Sequence, residues 1–525
     1  MEAAMAGDGK SVASLLERGA STEATTKDGQ TALTFAAVKD QRAIVRKLLA
    51  ADARLDAADK FGMTPLLWAA HWGKTETVEL LLDAGASVES ACKGGKTPLL
   101  WAVAGNREGA AMALLDRGAD LWAADNDGFG ALHVAARHGR AGIAELLLEV
   151  ATQAGEVGLR KLVGARNNAR DTALTLAARF GHVEMVKLLL DKGGAATETA
   201  GSFGRTALMS AVMEPRTADD DDKDGGKDKG RGKKESEGEA ARRAMGDEGQ
   251  RIEVVTLLLA RGASGGARDD AGDTALLAAV RAGNKRMVKA LLAGDAPGTD
   301  VADRFGKTPV MYAAFKENKD VLQLLLDVGA NAHAHDKDGH TALTAAAAHG
   351  FDGMLRLLVA SGVRVDDSAD ASGEPALVRA ARTGRPRAVA ALLDAGASVG
   401  VGDRGNRTAL MWAARMGHDR CVEALLDSAD RGDTSRSGDR EAGVRVVAQL
   451  EITDSKGQTA LMHAAMNGHV SCMELLLSRG ARPEAADNGG KTFLQHAAGV
   501  DRDSLAKLLG GKPARSSKYA SRDEL

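Results

Sequence analysis

With 525 residues the chain is long enough for three or four ordinary domains, yet only 3% of it is aromatic, which is thin for several independent cores. A formal charge of −3 with acidic and basic residues intermixed gives no electrostatic case for nucleic acid or an acidic membrane surface. Three cysteines (Cys92, Cys421, Cys472) make neither a disulfide framework nor a zinc set, and neither a signal-peptide core nor a membrane-length apolar run stands in the chain, so a cytoplasmic protein is expected, with the nucleus as the other setting.

In chain order, residues 1–27 read as an incomplete unit: a short helix over Met1 to Ala6, the apolar run Ser11-Val-Ala-Ser-Leu-Leu, and a stop at Gly19-Ala20. Residues 59–88 carry the fullest unit. Asp59 and Gly62 are turn formers, and Thr64 then caps a helix whose first residue is Pro65, where a missing N–H costs nothing. Leu66, Ala69 and Ala70 share one helix face, and Gly73 ends that helix. A second helix from about Thr75 is apolar at Val78, Leu81 and Leu82 and stops at Gly85. Two such helices cannot bury both faces alone.

The capping position recurs at Thr31, Thr64, Thr97, Gly130, Thr172, Thr206, Thr274, Thr308, Thr341, Pro375, Thr408, Thr459 and Thr492, mostly 33 or 34 residues apart. Self-similarity at that period signals a solenoid. Three steps are long. About nine extra residues fall near 150–164, where Leu159, Leu162 and Val163 are expected to lengthen a second helix. Residues 214–250 read as a charged, disordered insert inside a repeat, holding Ser236, an exposed serine that suits phosphorylation or stays unmodified. Residues 428–450 read as a flexible insert. The expected order is therefore repeats over 1–213, the insert 214–250, repeats over 251–427, the insert 428–450, repeats over 451–510 and a flexible tail over 511–525. The closing Arg522-Asp-Glu-Leu is similar to an ER-retention signal and is read as coincidental.

Thr-Pro-Leu or Thr-Ala-Leu before an Ala-Ala pair, Gly-His at 181–182, 417–418 and 468–469, and Leu-Leu before Gly-Ala resemble the ankyrin repeat over nearly the whole chain. The chain resembles the multi-ankyrin proteins of protozoa and other eukaryotes. The resemblance implies an all-α ankyrin-repeat solenoid of about fourteen turn-plus-helical-hairpin units, with a concave face of first helices and turn tips. It implies protein partners, no enzyme activity, and a scaffold or adaptor role, or else a targeting or regulatory subunit of a ubiquitin-ligase or phosphatase complex. The family's histidine after Thr-Pro-Leu survives only as His133, and Gly130 and Pro375 replace the capping threonine, so both units are expected to be locally weaker.

Four residues beyond the cap, one slot holds three of the five tryptophans. With Phe35, Trp68, Trp72 and Trp101 in the first repeats and Tyr312 and Trp412 further on, it reads either as an aromatic partner-binding strip or as packing between repeats. Other candidates carry little. Gly7-Asp-Gly9-Lys10-Ser11 lacks the first glycine of a phosphate loop. His333, His335 and His340 share a turn, but exposed turn histidines explain them better than a metal. His182, His418 and His469 read as structural, and Cys421 and Cys472 as small buried residues. No catalytic residue, cofactor or metal is assigned, and a monomer without nucleic acid or membrane insertion is expected.

Overall fold

A computed structural model describes residues 1–213, 247–293, 298–367, 373–430, 449–497, 499–500 and 502–508. Among the described residues the chain is helical without a strand, and isolated bridges such as Ala124 to Gly130 and Gly402 to Thr408 close turns. Ser236, the tail 511–525 with its Arg-Asp-Glu-Leu end, and most of the inserts 214–250 and 428–450 lie outside the described residues. Residues 248–250 belong to the helix Glu248–Ala260, and Leu450 is buried.

The contacts divide into two compact units, Met1–Ala278 with Lys289–Pro297, and Ala279–Val288 with Gly298–Leu525. Within the first, the helices Ala32–Val38, Pro65–Trp72, Pro98–Ala104, Ala131–His138, Ala173–Arg179 and Ala207–Val212 pack side by side in chain order. Their partners Arg42–Ala50, Thr75–Asp83, Glu108–Asp116, Ala141–Gln153, Val183–Asp191 and Glu248–Ala260 form the layer behind them. Within the second, Pro309–Phe315, Ala342–His349, Ala376–Arg382, Ala409–Met416 and Ala460–Met466 repeat the arrangement. Lys319–Asp327, Asp352–Ala360, Pro386–Asp394, Asp419–Asp430 and Val470–Ser478 back them.

The local chemistry explains the elements. Thr64 Oγ1 accepts the Leu67 N–H at 3.3 Å, and Pro65 opens the helix. Leu66, Ala69 and Ala70 are buried, as are Val78 and Leu81, while Leu82 is half-buried at the edge of the second helix. Because the alanine pairs are wholly enclosed, a larger side chain there would overpack, at a typical cost of about 1–3 kcal/mol. Gly62 sits at φ +80°, and a Cβ on it would stand 2.8 Å from the Lys93 nitrogen of the next turn. Only glycine fits.

The expected lengthening at 150–164 takes a different form. The second helix does extend to Gln153, but Gly155 at φ +90° interrupts it, and Leu159, Leu162 and Val163 belong to a separate helix, Glu156–Val163. Leu162 and Val163 are buried there, so apolar residues that no repeat template calls for pack on the neighbouring helix.

The weak caps fall where expected. Gly130 and Pro375 give their helices no side-chain cap. Gly130 has φ −82° and ψ 175°, close to the threonine caps, and a Cβ there meets nothing nearer than 3.5 Å. Gly130→Thr should therefore add a cap to the His133 N–H and slow hydrogen exchange across Ala131–His138 by roughly twofold, a few tenths of a kcal/mol. Unchanged or faster exchange would show that the cap is not the weak point.

Candidate interaction face

Each repeat enters its first helix through a turn, and in most repeats an aspartate five residues before the cap organises it. Asp403 Oδ1 accepts N–H groups of Gly405 and Arg407 at 2.9 and 3.0 Å, and Asp59, Asp303, Asp336, Asp454 and Asp487 repeat the pattern. The second oxygen is then available to the slot four residues past the cap. Trp68 and Trp412 donate their indole N–H to Asp59 and Asp403 Oδ2, both at 3.0 Å, and the Tyr312 hydroxyl donates to Asp303 Oδ2 at 2.6 Å. His463 and His496 do the same to Asp454 and Asp487, at 3.1 and 2.8 Å. Burial works to raise the Asp303 and Asp403 carboxyls, but these donors outweigh it and hold both below the ordinary range. Asp487 is held at about 2, chiefly by the Lys491 N–H and then by the His496 ring.

The slot thus separates the residues singled out from sequence. Trp68, Tyr312 and Trp412 are half-buried and tied by their polar ends to their own turns. Trp101 is not. Its turn carries Cys92 where the others have aspartate, and the buried Trp101 indole N–H has no hydrogen-bond partner. Trp72 lies outside the slot, 45% exposed. His71 joins the three tryptophans, its ring centroid 6.2 Å from Trp68, 5.2 Å from Trp72 and 5.0 Å from Trp101. Phe35 stays outside this cluster, half-buried in its own repeat. Burial lowers the His71 imidazole and the Arg107 charge adds to that, so the ring is neutral, with its Nδ1 unpartnered.

Two features were not singled out from sequence. His71 is one, although Trp-Ala-Ala-His-Trp placed it between two tryptophans. The other is a phenylalanine three residues before the cap at three turn tips: Phe61, Phe203 and Phe305, 58%, 65% and 53% exposed. A cation lies over each ring, Lys60 at 4.9 Å, Arg205 at 5.1 Å and Arg304 at 4.7 Å. The recurrent Phe-Gly-X-Thr was the signal for them.

The remaining candidates resolve into structural parts. Asp8 Oδ1 accepts the Lys10 and Ser11 N–H groups at 3.0 Å, so a carboxylate already fills the place a phosphate would take at that helix start. His333 and His335 are exposed, and His340 instead groups with Asp336 and Asp338, whose ligand atoms lie within 4.8 Å of one another. His182, His418 and His469 donate from Nε2 to the carbonyls of Arg137, Arg382 and Arg415 at 3.1, 3.2 and 3.1 Å, fastening each repeat to the one before. Cys421 is buried and its thiol is pushed up to about 11 by burial. Cys472 is raised also, by burial and by donating to Asp419 Oδ1 at 2.8 Å, so neither thiol is a nucleophile near neutral pH.

With the repeats in view, comparison with known proteins is direct. The family model described as "Ankyrin repeats (3 copies)" matches residues 1–92, 85–156, 150–218, 240–336, 316–403, 370–436 and 436–518. The chain belongs to the ankyrin-repeat family. It is similar to an ankyrin repeat-containing protein of Treponema pallidum (strain Nichols), 34% identical over 111 residues, covering 21% of this chain and 37% of that protein. It is also similar to "Probable E3 ubiquitin-protein ligase XBOS33" of Oryza sativa subsp. japonica, 29% identical over 39% of this chain and 40% of that protein. A third relative is the ankyrin repeat and KH domain-containing protein mask-1 of Caenorhabditis elegans, 27% identical over 64% of this chain and 11% of that protein. The chain spans less than half the length of each of these relatives. Among the described residues no helix is long and apolar enough to cross a membrane.

Two outcomes follow from the geometry. Trp412→Phe removes a bond to a carboxylate and should cost about 1–2 kcal/mol, whereas Trp101→Phe removes an N–H without a partner and should cost close to nothing; urea denaturation of both variants checks the contrast. The second outcome concerns buried histidines. His133 Nδ1 accepts the Gly130 N–H at 3.2 Å and its Nε2 donates to Ala165 O at 3.0 Å, so protonation would set one N–H against another. Burial lowers the folded pKa of His133, and likewise of His463. The unfolded chain takes up these protons near pH 6.5 and the native chain only lower, so stability should fall as pH drops through and below about 6.5. His133→Gln keeps an acceptor for Gly130, as Gln495 does for Thr492 at 2.9 Å, and should lessen that pH dependence in thermal melts between pH 7.5 and 5.5, with the His463 share remaining.

Proposed function

We propose that the chain is a non-catalytic scaffold or adaptor that takes partner proteins on the face formed by its first helices and turn tips. Ankyrin repeats are protein-interaction modules, and the family is generally non-catalytic, which supports both halves of the reading. The observation that carries it is the cluster of Trp68, His71, Trp72 and Trp101. A half-exposed indole, an imidazole and the half-buried Trp101 ring, whose own N–H is buried without an acceptor, come together here, and packing of the repeats does not call for that combination. Large rings with a polar edge are the common anchors of protein interfaces. Phe35, Tyr312 and Trp412 belong to this proposal as flanking apolar surface, with their polar ends, where they have them, bound to the chain itself.

A second reading follows from the rice relative: a targeting or regulatory subunit of a ubiquitin-ligase complex. The three free cysteines agree with a reducing compartment, and we place the protein in the cytoplasm or nucleus.

The test uses the full chain as bait, wild type beside a Trp72→Ala, Trp101→Ala variant, with co-purifying proteins quantified. Loss of specific partners at an unchanged melting temperature supports the anchor role. A retained partner set, or a fall of many degrees in melting temperature, overturns it. One stoichiometric ligase subunit among the partners would favour the second reading.

A further inference from the structure

The repeat capped by Thr341 lacks the side chain that four other repeats of the second unit use to close the turn. In the repeats capped by Thr308, Thr408, Thr459 and Thr492, the slot donates to the second oxygen of the turn aspartate through Tyr312, Trp412, His463 and His496. In the repeat capped by Thr341 the turn is intact, with Asp336 Oδ1 accepting the Asp338 and His340 N–H groups at 3.0 and 2.8 Å. Its slot, however, holds Ala345, which has no donor. Asp336 is buried, and among the described residues its Oδ2 has only His340 Nδ1 at 3.4 Å, beyond ordinary hydrogen-bond range.

The space that an aromatic side chain would fill is a cavity of about 190 Å³. Asp336 and Ala345 line it together with the rings of Tyr312, Phe315 and His349, and the last two meet edge-on with centroids 4.8 Å apart. A closed apolar cavity of about 150 Å³ is enough for benzene, so a bicyclic ring fits here. Lys307 and Arg379 also border the cavity, which disfavours a guanidinium or ammonium occupant. What remains is a flat, neutral ring carrying one donor, and of the rings that serve in cis the indole is the largest.

We propose that this cavity is a receptor for a tryptophan side chain of a partner protein, whose indole N–H donates to Asp336 Oδ2 as Trp412 donates to Asp403 within the chain. The partner supplies in trans the group that other repeats supply in cis. This rests on the interaction-scaffold reading for the source of the ring, but not on the first unit's tryptophan cluster.

Calorimetric titration of the full-length protein tests it with three probes: indole, benzofuran (the same ring with oxygen in place of N–H), and a capped pentapeptide with a central tryptophan. Indole should bind about tenfold more tightly than benzofuran, the peptide should bind too, and Ala345→Trp should abolish binding of all three by filling the cavity from within. Asp336→Asn should bring indole and benzofuran together; because that change also touches the turn, the Ala345→Trp result decides the matter if the asparagine variant misfolds. Equal affinity of the two rings for the wild type, indole binding that survives Ala345→Trp, or no binding at millimolar indole would overturn the site. Binding of indole without binding of the peptide would overturn the protein partner. Failure of the Trp72 and Trp101 test leaves these titrations unaffected, so the two readings fail separately.

Discussion

Much of the molecule depends on one carboxylate placed five residues before a helix cap. With Oδ1 it satisfies two backbone N–H groups of a tight turn, and with Oδ2 it reaches forward to the helix that the turn introduces, as Asp403 does to Trp412. A carboxylate this enclosed would be costly without donors; three or four of them reverse the balance, and the depressed Asp303 and Asp403 carboxyls record it. Turn and helix are locked at one atom pair. The backbone of each tip then meets the next: Phe305 O accepts the Lys337 N–H at 3.0 Å, and Gly405 O accepts the Ser455 N–H at 2.9 Å.

At the other end of the first helix a different bond does the same work. A histidine or arginine at the start of the second helix donates to a carbonyl of the preceding repeat, as His469 does to Arg415 O and Arg107 Nε to His71 O. The fit is close enough that a Cβ on Gly417 would stand 2.6 Å from the His469 ring. Each repeat therefore leans on its neighbours alone, the one-dimensional stability of stacked units.

The fold was legible because its signals are local and repeated: a threonine cap, an alanine pair and a glycine stop each act within a few residues. The separate helix Glu156–Val163 was harder to read, since it appears in a single repeat and rests on the glycine at 155 rather than on a recurring pattern. The aromatic slot was visible as a column of tryptophans, but the column mixes two situations. Trp68 beside Asp59 and Trp101 beside Cys92 look equivalent when only the slot is aligned. The distinction lies nine residues upstream, where the turn either offers an acceptor or does not. His71 was missed for a similar reason: its importance comes from contacts across two repeats, which periodicity within one repeat cannot display.

The pairing of turn aspartate with slot side chain also limits how this face can acquire specificity. Where both members are present, as in Asp59 with Trp68 or Asp454 with His463, the polar edge of the ring is consumed within the chain, and only its apolar flank remains for a partner. Losing the acceptor while keeping the ring, as at Cys92 and Trp101, leaves a buried donor without an acceptor. Losing the ring while keeping the acceptor, as at Asp336 and Ala345, leaves a cavity with a carboxylate at its base. A polar group left with an incomplete set of partners contributes more to discrimination than an apolar one, because a wrong partner leaves it desolvated without compensation. Single substitutions at two positions of a repeat thus convert a brace into either half of a recognition pair.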